Sequence, residues 1–176
     1  MAARKQRASL RVTGDWCGVA AATSEHVHFE LTLDPLTLHI DVKAPYHGDP
    51  PPDAAPGHLD RLWDYEVVEL FLLGERERYT EIELGPHGHY LALQLEGPRQ
   101  LCDATLELDY RAHIEGGSFH GSARIARALL PEPIISANAY AMHGLGKARR
   151  HLAAHPVPGA APDFHRLVHF RPLEWR

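Results

Sequence analysis

The regular alternation of apolar and polar residues is the feature that most restricts how this chain can fold. In residues 27–34 and 36–43 every second residue is apolar, and Asp34-Pro35 lies where the two runs meet. Successive side chains of a β-strand point to opposite faces, so each run predicts a strand with one buried face. The turn residues between the runs predict a β-hairpin.

A second group of strands is predicted in the middle of the chain. Residues 67–73 are almost all apolar and carry one charge, Glu69, which is typical of a central strand covered on both faces. Residues 79–84 and 89–96 alternate again, and the sequence Gly-Pro-His-Gly at 85–88 predicts the turn between them. We expect an antiparallel meander with one apolar face and one polar face.

The rest of the chain continues this pattern. Further strands are predicted over residues 106–114, 118–126, 135–143 and 165–172. The Pro- and Gly-rich residues 44–57 predict an ordered surface loop, and only residues 147–154 favour a short helical turn. Fourteen glycines and 14 prolines suit short strands better than long helices. We therefore expect one all-β domain over residues 1–176, an antiparallel β-sandwich or jelly roll in which residues 1–8 are flexible.

Charge and composition narrow the classes of partner. Asp and Glu outnumber Lys and Arg by 23 to 18, so we expect neither a nucleic acid nor an anionic membrane surface as partner. No run approaches the roughly 18 apolar residues of a membrane helix. No apolar segment follows the basic residues 1–7, so no secretory signal is expected. Cys17 and Cys102 share no metal-binding spacing, and we expect a cytoplasmic protein with two reduced thiols.

Three glutamates are the first candidates for a site. Glu81 and Glu83 lie two residues apart on one predicted strand, which places their carboxylates on one face about 7 Å apart. Glu69 joins them if its strand is the neighbour, and Tyr79 and Tyr90 are expected on the same face. In one interpretation these residues lie on a sheet face that is exposed to solvent and hydrated by its charged groups. The other is a binding surface for a sugar or a hard cation, because aromatic rings and carboxylate acceptors suit sugars and carboxylates suit cations.

Two short junctions place aromatic and acidic residues beside predicted strands. Trp63-Asp64-Tyr65-Glu66 precedes the apolar strand, and Pro162-Asp163-Phe164-His165 precedes the last one. In one interpretation the aspartates cap loop amides while the rings close the end of the sandwich. In the other, the junctions form a pocket in which Trp63 stacks on a ligand and His165 donates a hydrogen bond. A cavity that opens at Trp63, Glu81 and His165 together would favour the pocket.

The histidines do not predict a metal or haem site. His26-x-His28, His87-x-His89 and His151-x-x-x-His155 lack the accompanying ligands of known transition-metal motifs. Met142 and His143 are adjacent, so on a strand they point to opposite faces and are not expected to bind one haem. No cofactor is therefore expected, and only the carboxylates leave a divalent cation such as calcium open.

Several motifs together resemble a known family. They are Leu62-Trp-Asp-Tyr-Glu-Val-Val-Glu-Leu-Phe71, Tyr79-x-Glu-x-Glu-Leu-Gly-Pro-His-Gly88, His143-Gly144, Arg150, Pro156-Val-Pro158 and Pro162-Asp-Phe-His165. Over about residues 38–173 the chain resembles an uncharacterised family of short intracellular proteins of animals and bacteria. Through that family it is similar to the DOMON-like superfamily, close to carbohydrate-binding module family nine.

The resemblance implies a jelly-roll sandwich with a ligand face, in a superfamily whose characterised members bind sugars or haem without catalysis. Trp63 matches the motif tryptophan and Glu69 the motif glutamate, while Tyr79 and Glu81 match the strand that follows. The implied role of Trp63 is stacking on the ligand, and the implied role of the carboxylates is hydrogen bonding.

The sequence therefore predicts a non-catalytic binding protein for a small polar ligand, with carbohydrate as the first candidate. The residues proposed to contact the ligand are Trp63, Glu69, Tyr79, Glu81, Glu83, His143, Arg150, Asp163 and His165. No nucleophile, P-loop or dinucleotide motif is present. One alternative is a hydrolase or isomerase that acts on a sugar-like substrate through Glu81/Glu83 or Asp163/His165. Another is a scaffold whose polar sheet binds a second protein.

Overall fold

Two β-sheets packed face to face form the protein in the computed structural model, which describes residues 5–176. The strands are β1 (Gln6–Val12), β2 (Gly14–Asp15), β3 (Val27–Leu33), β4 (Thr37–Pro45), β5 (Gly57–His58), β6 (Val67–Leu73), β7 (Arg78–Leu84), β8 (His89–Glu96), β9 (Leu101–Asp103), β10 (Asp109–Glu115), β11 (Ser118–Ala126), β12 (Ser136–His143), β13 (Arg150–Ala153) and β14 (Arg171–Pro172). Three-residue 3-10 turns lie at Thr23–Glu25, Leu62–Asp64, Glu75–Glu77, Arg127–Leu129, Gly146–Ala148 and Leu167–His169.

The two sheets have different sizes and the same antiparallel character. Sheet A has the order β1-β3-β4-β11-β10. Sheet B has the order β2-β13-β12-β6-β7-β8-β5, with β14 beside β12 and β9 beside β8. Every pairing is antiparallel except the short one between β5 and β8. The predicted all-β sandwich is confirmed. Among the described residues, no helix is long and apolar enough to span a bilayer.

Alternation builds the core between the sheets, as predicted. In β3 and β4 the residues Phe29, Leu31 and Ile40 are buried, whereas Glu30 and Asp41 point outward. The Asp34 side chain accepts hydrogen bonds from two backbone N–H groups of the turn and closes the hairpin between the two strands. Packing these apolar faces together removes them from water, which is the main stabilising contribution to such a fold.

A second apolar cluster covers the outer face of sheet B. Phe71 of β6 and Tyr140 of β12 lie at its centre, and their rings are 5.2 Å apart. Residues 46–66 and 144–170, which we call the cover segments, cross this face and contribute Leu62 and Phe164 to the cluster. β6 is therefore buried on both faces, which explains its nearly continuous apolar sequence.

The meander of β6, β7 and β8 contains the predicted strands but not the predicted faces. Glu81 pairs with Leu93 and Leu84 pairs with Tyr90, so the leucines of β8 share a face with the glutamates of β7. Tyr90 faces the core between the sheets, so its expected place beside Tyr79 is wrong. The cause is the length of the turn at residues 85–88, which sets the register of the two strands.

Other differences lie near the chain ends and in the last third. Residues 6–8, expected to be flexible, begin β1, because Ala8, Leu10 and Val12 pack into the core; residues 1–4 lie outside the described residues. Residues 147–154 form a 3-10 turn and β13 rather than a helix. The strand expected over residues 165–172 is reduced to β14, because Leu167 and Phe170 turn inward to cover sheet B.

Candidate functional site

A cavity of about 460 Å³ opens on the outer face of sheet B, between the sheet and the second cover segment. Strands β6, β7, β8 and β12 form its floor, and the loop after β8 and the cover segments form its walls. The lining side chains with polar or ring groups are Trp63, Glu69, Phe71, Glu81, Arg99, His151, Asp163, Phe164 and His165. Trp63, Glu81 and His165 thus line one cavity, which favours the pocket interpretation of the two junctions.

Other concavities of similar size have a different character. One of about 600 Å³ lies between β1 and residues 171–176, and one of about 500 Å³ lies on the outer face of sheet A. Their charged side chains stand at the protein surface, with exposed arginines such as Arg7 and Arg171 lining the first. The cavity on sheet B is distinguished by titratable groups that are buried at its floor.

The floor holds three glutamates that the strand register brings together. Glu69 of β6 pairs directly with Glu83 of β7, and Glu81 lies one pleat along β7 on the same face. One carboxylate oxygen from each of the three lies within 4.8 Å of the other two. The three residues are 2%, 0% and 4% exposed for Glu69, Glu83 and Glu81. Glu69 and Glu81 face the cavity, and Glu83 lies beneath them.

The carboxylates of this cluster have few partners. Both oxygens of Glu83 and Oε2 of Glu81 are buried without a hydrogen bond. Burial raises the pKa of Glu69 and Glu83 well above the usual range, and the charges of the neighbouring glutamates add to this effect. Burial raises the pKa of Glu81 to about 7. The arrangement therefore favours occupation of this floor by protons, a cation or hydrogen-bond donors of a ligand.

Tyr79 orients His165 on one wall of the cavity. The Tyr79 hydroxyl lies 2.6 Å from Nδ1 of His165 and accepts a hydrogen bond from the backbone N–H of Arg99. Burial and the positive charge of Arg99 lower the pKa of His165 to about 4, so its ring is neutral at physiological pH. Burial raises the pKa of Tyr79 to about 12, so its hydroxyl keeps its proton and is able to donate it to Nδ1. In the tautomer that accepts this hydrogen bond the ring proton is on Nε2, which lies 3.9 Å from Oε2 of Glu81.

An ion pair closes the same wall. The Arg99 guanidinium donates hydrogen bonds to both carboxylate oxygens of Asp163, at 2.9 and 3.3 Å. Asp163 also accepts a hydrogen bond from the backbone N–H of His165. These contacts fix the loop after β8 against the junction at residues 162–165. Sequence reasoning missed Arg99, since a lone arginine after Gly-Pro carries no recognisable signal.

Arg149 holds the loop that carries Trp63 through hydrogen bonds to backbone carbonyls. Its guanidinium donates to the backbone carbonyls of Trp63 and Tyr65 at 2.7 Å each, and to that of Gly144 at 3.2 Å. It therefore holds the loop that carries Trp63, whose side chain is 38% exposed at the cavity. Sequence reasoning also missed Arg149 and selected its neighbour Arg150.

His143 and Arg150 do not line this cavity, although both were predicted to bind the ligand. Arg150 donates two hydrogen bonds to Glu25, and Nε2 of His143 lies 3.1 Å from the same carboxylate. The His143 ring stacks on His47 with centroids 3.5 Å apart. The reason is strand geometry, because Met142 lines the cavity and the next residue on β12 must point the other way.

Of the remaining predicted site residues, Trp63, Glu69, Glu81, Asp163 and His165 line the cavity. Tyr79 and Glu83 are buried behind the lining and act on the site through His165 and the glutamate cluster. A ligand in this space would meet one exposed ring, carboxylate acceptors and an imidazole donor.

Comparison with known sequences identifies close relatives in vertebrates. The chain is 42% identical over 143 residues to the UPF0462 protein C4orf33 homolog of Danio rerio, which covers 76% of this chain and 73% of that protein. It is 38% identical over 156 residues to the Mus musculus homolog, covering 79% and 81%, and to the UPF0462 protein C4orf33 of Homo sapiens, covering 84% and 78%. The chain matches no family model.

Comparison with solved structures identifies the fold. A Bacteroides uniformis protein described as a "putative carbohydrate-binding protein" superposes with a TM-score of 0.69 at 16% identity, covering 96% of this chain and 84% of that one. A family 9 carbohydrate-binding module of Caldicellulosiruptor kristjanssonii in complex with cellotriose gives 0.52 at 11% identity, covering 96% and 77%. Its complex with glucose gives 0.54 at 12% identity, covering 98% and 82%. The likeness confirms the carbohydrate-binding-module type of sandwich.

Proposed function

The chain belongs to the UPF0462 family, and we propose that it binds a small polar ligand, a carbohydrate, in the cavity on the outer face of sheet B. The observation that carries the proposal is the meeting of Trp63 with the Glu69 and Glu81 carboxylates in one cavity. A pyranose presents an apolar C–H face and a rim of hydroxyl donors. The indole suits the first and the carboxylates suit the second.

The other wall completes this set of contacts. In the tautomer whose Nδ1 accepts from Tyr79, Nε2 of His165 offers a donor to a ring or hydroxyl oxygen. Arg99 adds a cationic donor at the mouth, held in place by Asp163. The family 9 modules of similar fold, in complex with cellotriose and glucose, support a sugar as the ligand class.

The geometry gives less support to a glycoside hydrolase. Hydrolases place two carboxyl groups on either side of the scissile bond, about 5–9.5 Å apart. Here Glu69, Glu81 and Glu83 lie together on one sheet face, and a ligand would meet them from one side only. Asp163, on the wall, is occupied by Arg99. Binding without turnover is the function that this arrangement favours.

A protein-binding scaffold is also less well supported, because the cover segments bury the polar face of sheet B that such a scaffold would use.

Isothermal titration of the purified chain with mono- and disaccharides tests the proposal, with Trp63→Ala as the diagnostic variant. We expect saturable binding at micromolar to millimolar sugar, weakened in the variant by about three- to tenfold through loss of stacking. Leu36→Ala is the control, since Leu36 is exposed in the hairpin turn of sheet A. Absence of binding to any sugar at millimolar concentration, or equal binding by Trp63→Ala, would contradict the proposal.

A further inference from the structure

We propose that Glu69, Glu81 and Glu83 form a binding site for a divalent, oxygen-preferring cation of the calcium class at the floor of the cavity. The cation site itself does not depend on the identity of the ligand. A second step, in which the cation takes a hydroxyl of the ligand into its coordination shell, rests on the proposed carbohydrate function.

Within the described part of the chain, these carboxylates have no positive partner. Within residues 5–176 no arginine, lysine or histidine donates a hydrogen bond to any of the three, and Nε2 of His165 stays 3.9 Å from Glu81. The two nearest guanidinium groups are already engaged, Arg99 by Asp163 and Arg149 by backbone carbonyls. Burying several carboxylates without compensation is costly, so a cation at this point would offset a large unfavourable energy.

The carboxylate at the base of the cluster receives no hydrogen bond. Glu83 is fully buried, and neither of its oxygens accepts a hydrogen bond from a donor group; the group within hydrogen-bonding reach is the Glu81 carboxyl, another acceptor. Buried polar atoms in folded proteins nearly always have a partner, so two free oxygens on one side chain indicate a ligand. Glu69 pairs with Glu83 in the strand register, so the Glu83 oxygens lie in the same small space as the Glu69 carboxylate.

The separation and number of the carboxylates suit a calcium ion. Calcium binds oxygen at about 2.3–2.6 Å, so two oxygens on one ion lie at most about 5 Å apart. The three glutamate oxygens lie within 4.8 Å of one another, which satisfies that limit. The number of carboxylates favours calcium over magnesium, because magnesium keeps several of its waters and is usually held by only one or two carboxylates.

One side of the glutamate cluster is open to the cavity. Calcium takes about six to eight oxygen ligands, and three carboxylates supply three to six depending on whether each binds through one oxygen or two. Glu69 and Glu81 line the cavity, so the remaining coordination positions face the space where the ligand is proposed to bind. Water fills those positions first, and hydroxyl groups of a sugar are suited to replace it.

The test begins with the metal alone. The full chain, treated with EDTA and dialysed, is titrated with CaCl₂ by calorimetry, and its thermal unfolding is followed with and without the ion. We expect saturation at one Ca²⁺ per chain and a higher unfolding temperature in calcium, with a smaller shift in MgCl₂. No heat and no shift with millimolar CaCl₂ would overturn the site, and an equal response to Mg²⁺ would overturn the preference for calcium.

Variants then assign the ligands. Glu83→Gln keeps the volume and removes the charge, so we expect it to weaken calcium binding by about tenfold or more. Glu69→Gln serves as a second variant if Glu83→Gln does not fold. The matched control is Glu30→Gln on the exposed outer face of sheet A, which should bind calcium as the unmodified chain does. Undiminished calcium binding by folded Glu83→Gln or Glu69→Gln would overturn the assignment.

Sugar titrations in EDTA and in CaCl₂ separate this inference from the proposed function. Sugar binding that requires calcium supports both steps. Sugar binding that is equal in the two buffers supports the proposed function and overturns the hydroxyl-on-cation step. Calcium binding in a chain that binds no sugar supports the cation site and contradicts the proposed function.

Discussion

The outer faces of both sheets carry polar side chains at alternating positions, but one face is exposed to solvent and the other is buried. On sheet A, Glu30 and Asp41 point away from the core and are exposed to solvent. On sheet B, Glu69, Glu81 and Glu83 also point away from the core between the sheets, yet they are almost fully buried. Alternation therefore shows which side chains leave the core, but not whether they reach water.

The connections between strands account for the difference. In sheet A, short turns at residues 34–36 and 116–117 join β3 to β4 and β10 to β11, and Glu30 and Asp41 stay exposed on its outer face. Sheet B is crossed by the cover segments, which are tied together where the N–H of Gly144 donates to Asp49. The long, Pro-rich connections thus turn a polar sheet face into the lining of a cavity.

The energetic consequences also differ. On sheet A, His28 and Glu30 lie 2.8 Å apart in a partly solvated pair, a type of contact worth about 0–1 kcal/mol. On sheet B, the unpaired oxygens of Glu83 are a cost that only a proton or a ligand can relieve. Such a cost, kept beside an open cavity, is typical of a site that has a function.

The largest expected effect comes from a substitution in the apolar cluster that covers the outer face of sheet B. Phe71 lies within ring contact of Tyr79, Tyr140 and Phe170, so Phe71→Ala should lower the free energy of unfolding by about 3–5 kcal/mol. Lys43→Ala, on the outer face of sheet A, should change it by less than about 0.5 kcal/mol. Denaturant unfolding measures both. Similar losses for the two variants would show that the outer faces are not energetically distinct.

A second test loosens the cover itself. Arg149→Met keeps much of the side-chain volume but removes the hydrogen bonds to three carbonyls, so we expect a loss of about 2–3 kcal/mol. Amide hydrogen exchange should increase at residues 62–66 and stay unchanged in β3 and β4. Exchange that rises equally in both sheets would indicate that Arg149 stabilises the whole domain and not the loop at residues 62–66 in particular.

The smallest expected effect concerns a carboxylate that does have a positive partner. Hydrogen bonds from Arg150 lower the pKa of Glu25 from 4.5 to about 2, so the charged form stabilises the folded state. This contribution is complete above pH 4.5 and is lost as the pH falls towards 2, and we expect it to be about 1–2 kcal/mol.

Denaturant unfolding at pH 7 and pH 3 measures it. Glu25→Gln should be less stable than the unmodified chain at pH 7, and the difference should shrink at pH 3. A difference that does not depend on pH would rule out the charge of Glu25 as its origin.

Much of the fold could be predicted from the residues. The alternating pattern predicted β3, β4, β7, β8 and β11. The continuous apolar run predicted β6, which is buried on both faces. The register could not be predicted, because one residue more or less in the turn at 85–88 exchanges the faces of β8. β1 was missed because its alternation begins within a basic, polar segment at the start of the chain.

The site was predictable where local sequence fixes direction. Glu81 and Glu83 share a face because they are two residues apart, and Trp63 and His165 lie in the two short segments 63–66 and 162–165, which come together at the cavity. Arg99 and Arg149 were not predictable, because their partners are Asp163 and the carbonyls of a distant loop. His143 and Arg150 were assigned to the cavity although their partner, Glu25, lies more than 100 positions earlier in the chain.

The pairing of β4 with β11 has a consequence for how the protein acquires its shape during synthesis. Pro45 pairs with Ser118 and Thr37 with Ala126, so sheet A cannot be completed until residue 126 has emerged. Until then the first hairpin presents an open edge, a known hazard for intermolecular pairing. A topology of such distant partners folds on the millisecond-to-second timescale, far more slowly than a helical bundle of equal length.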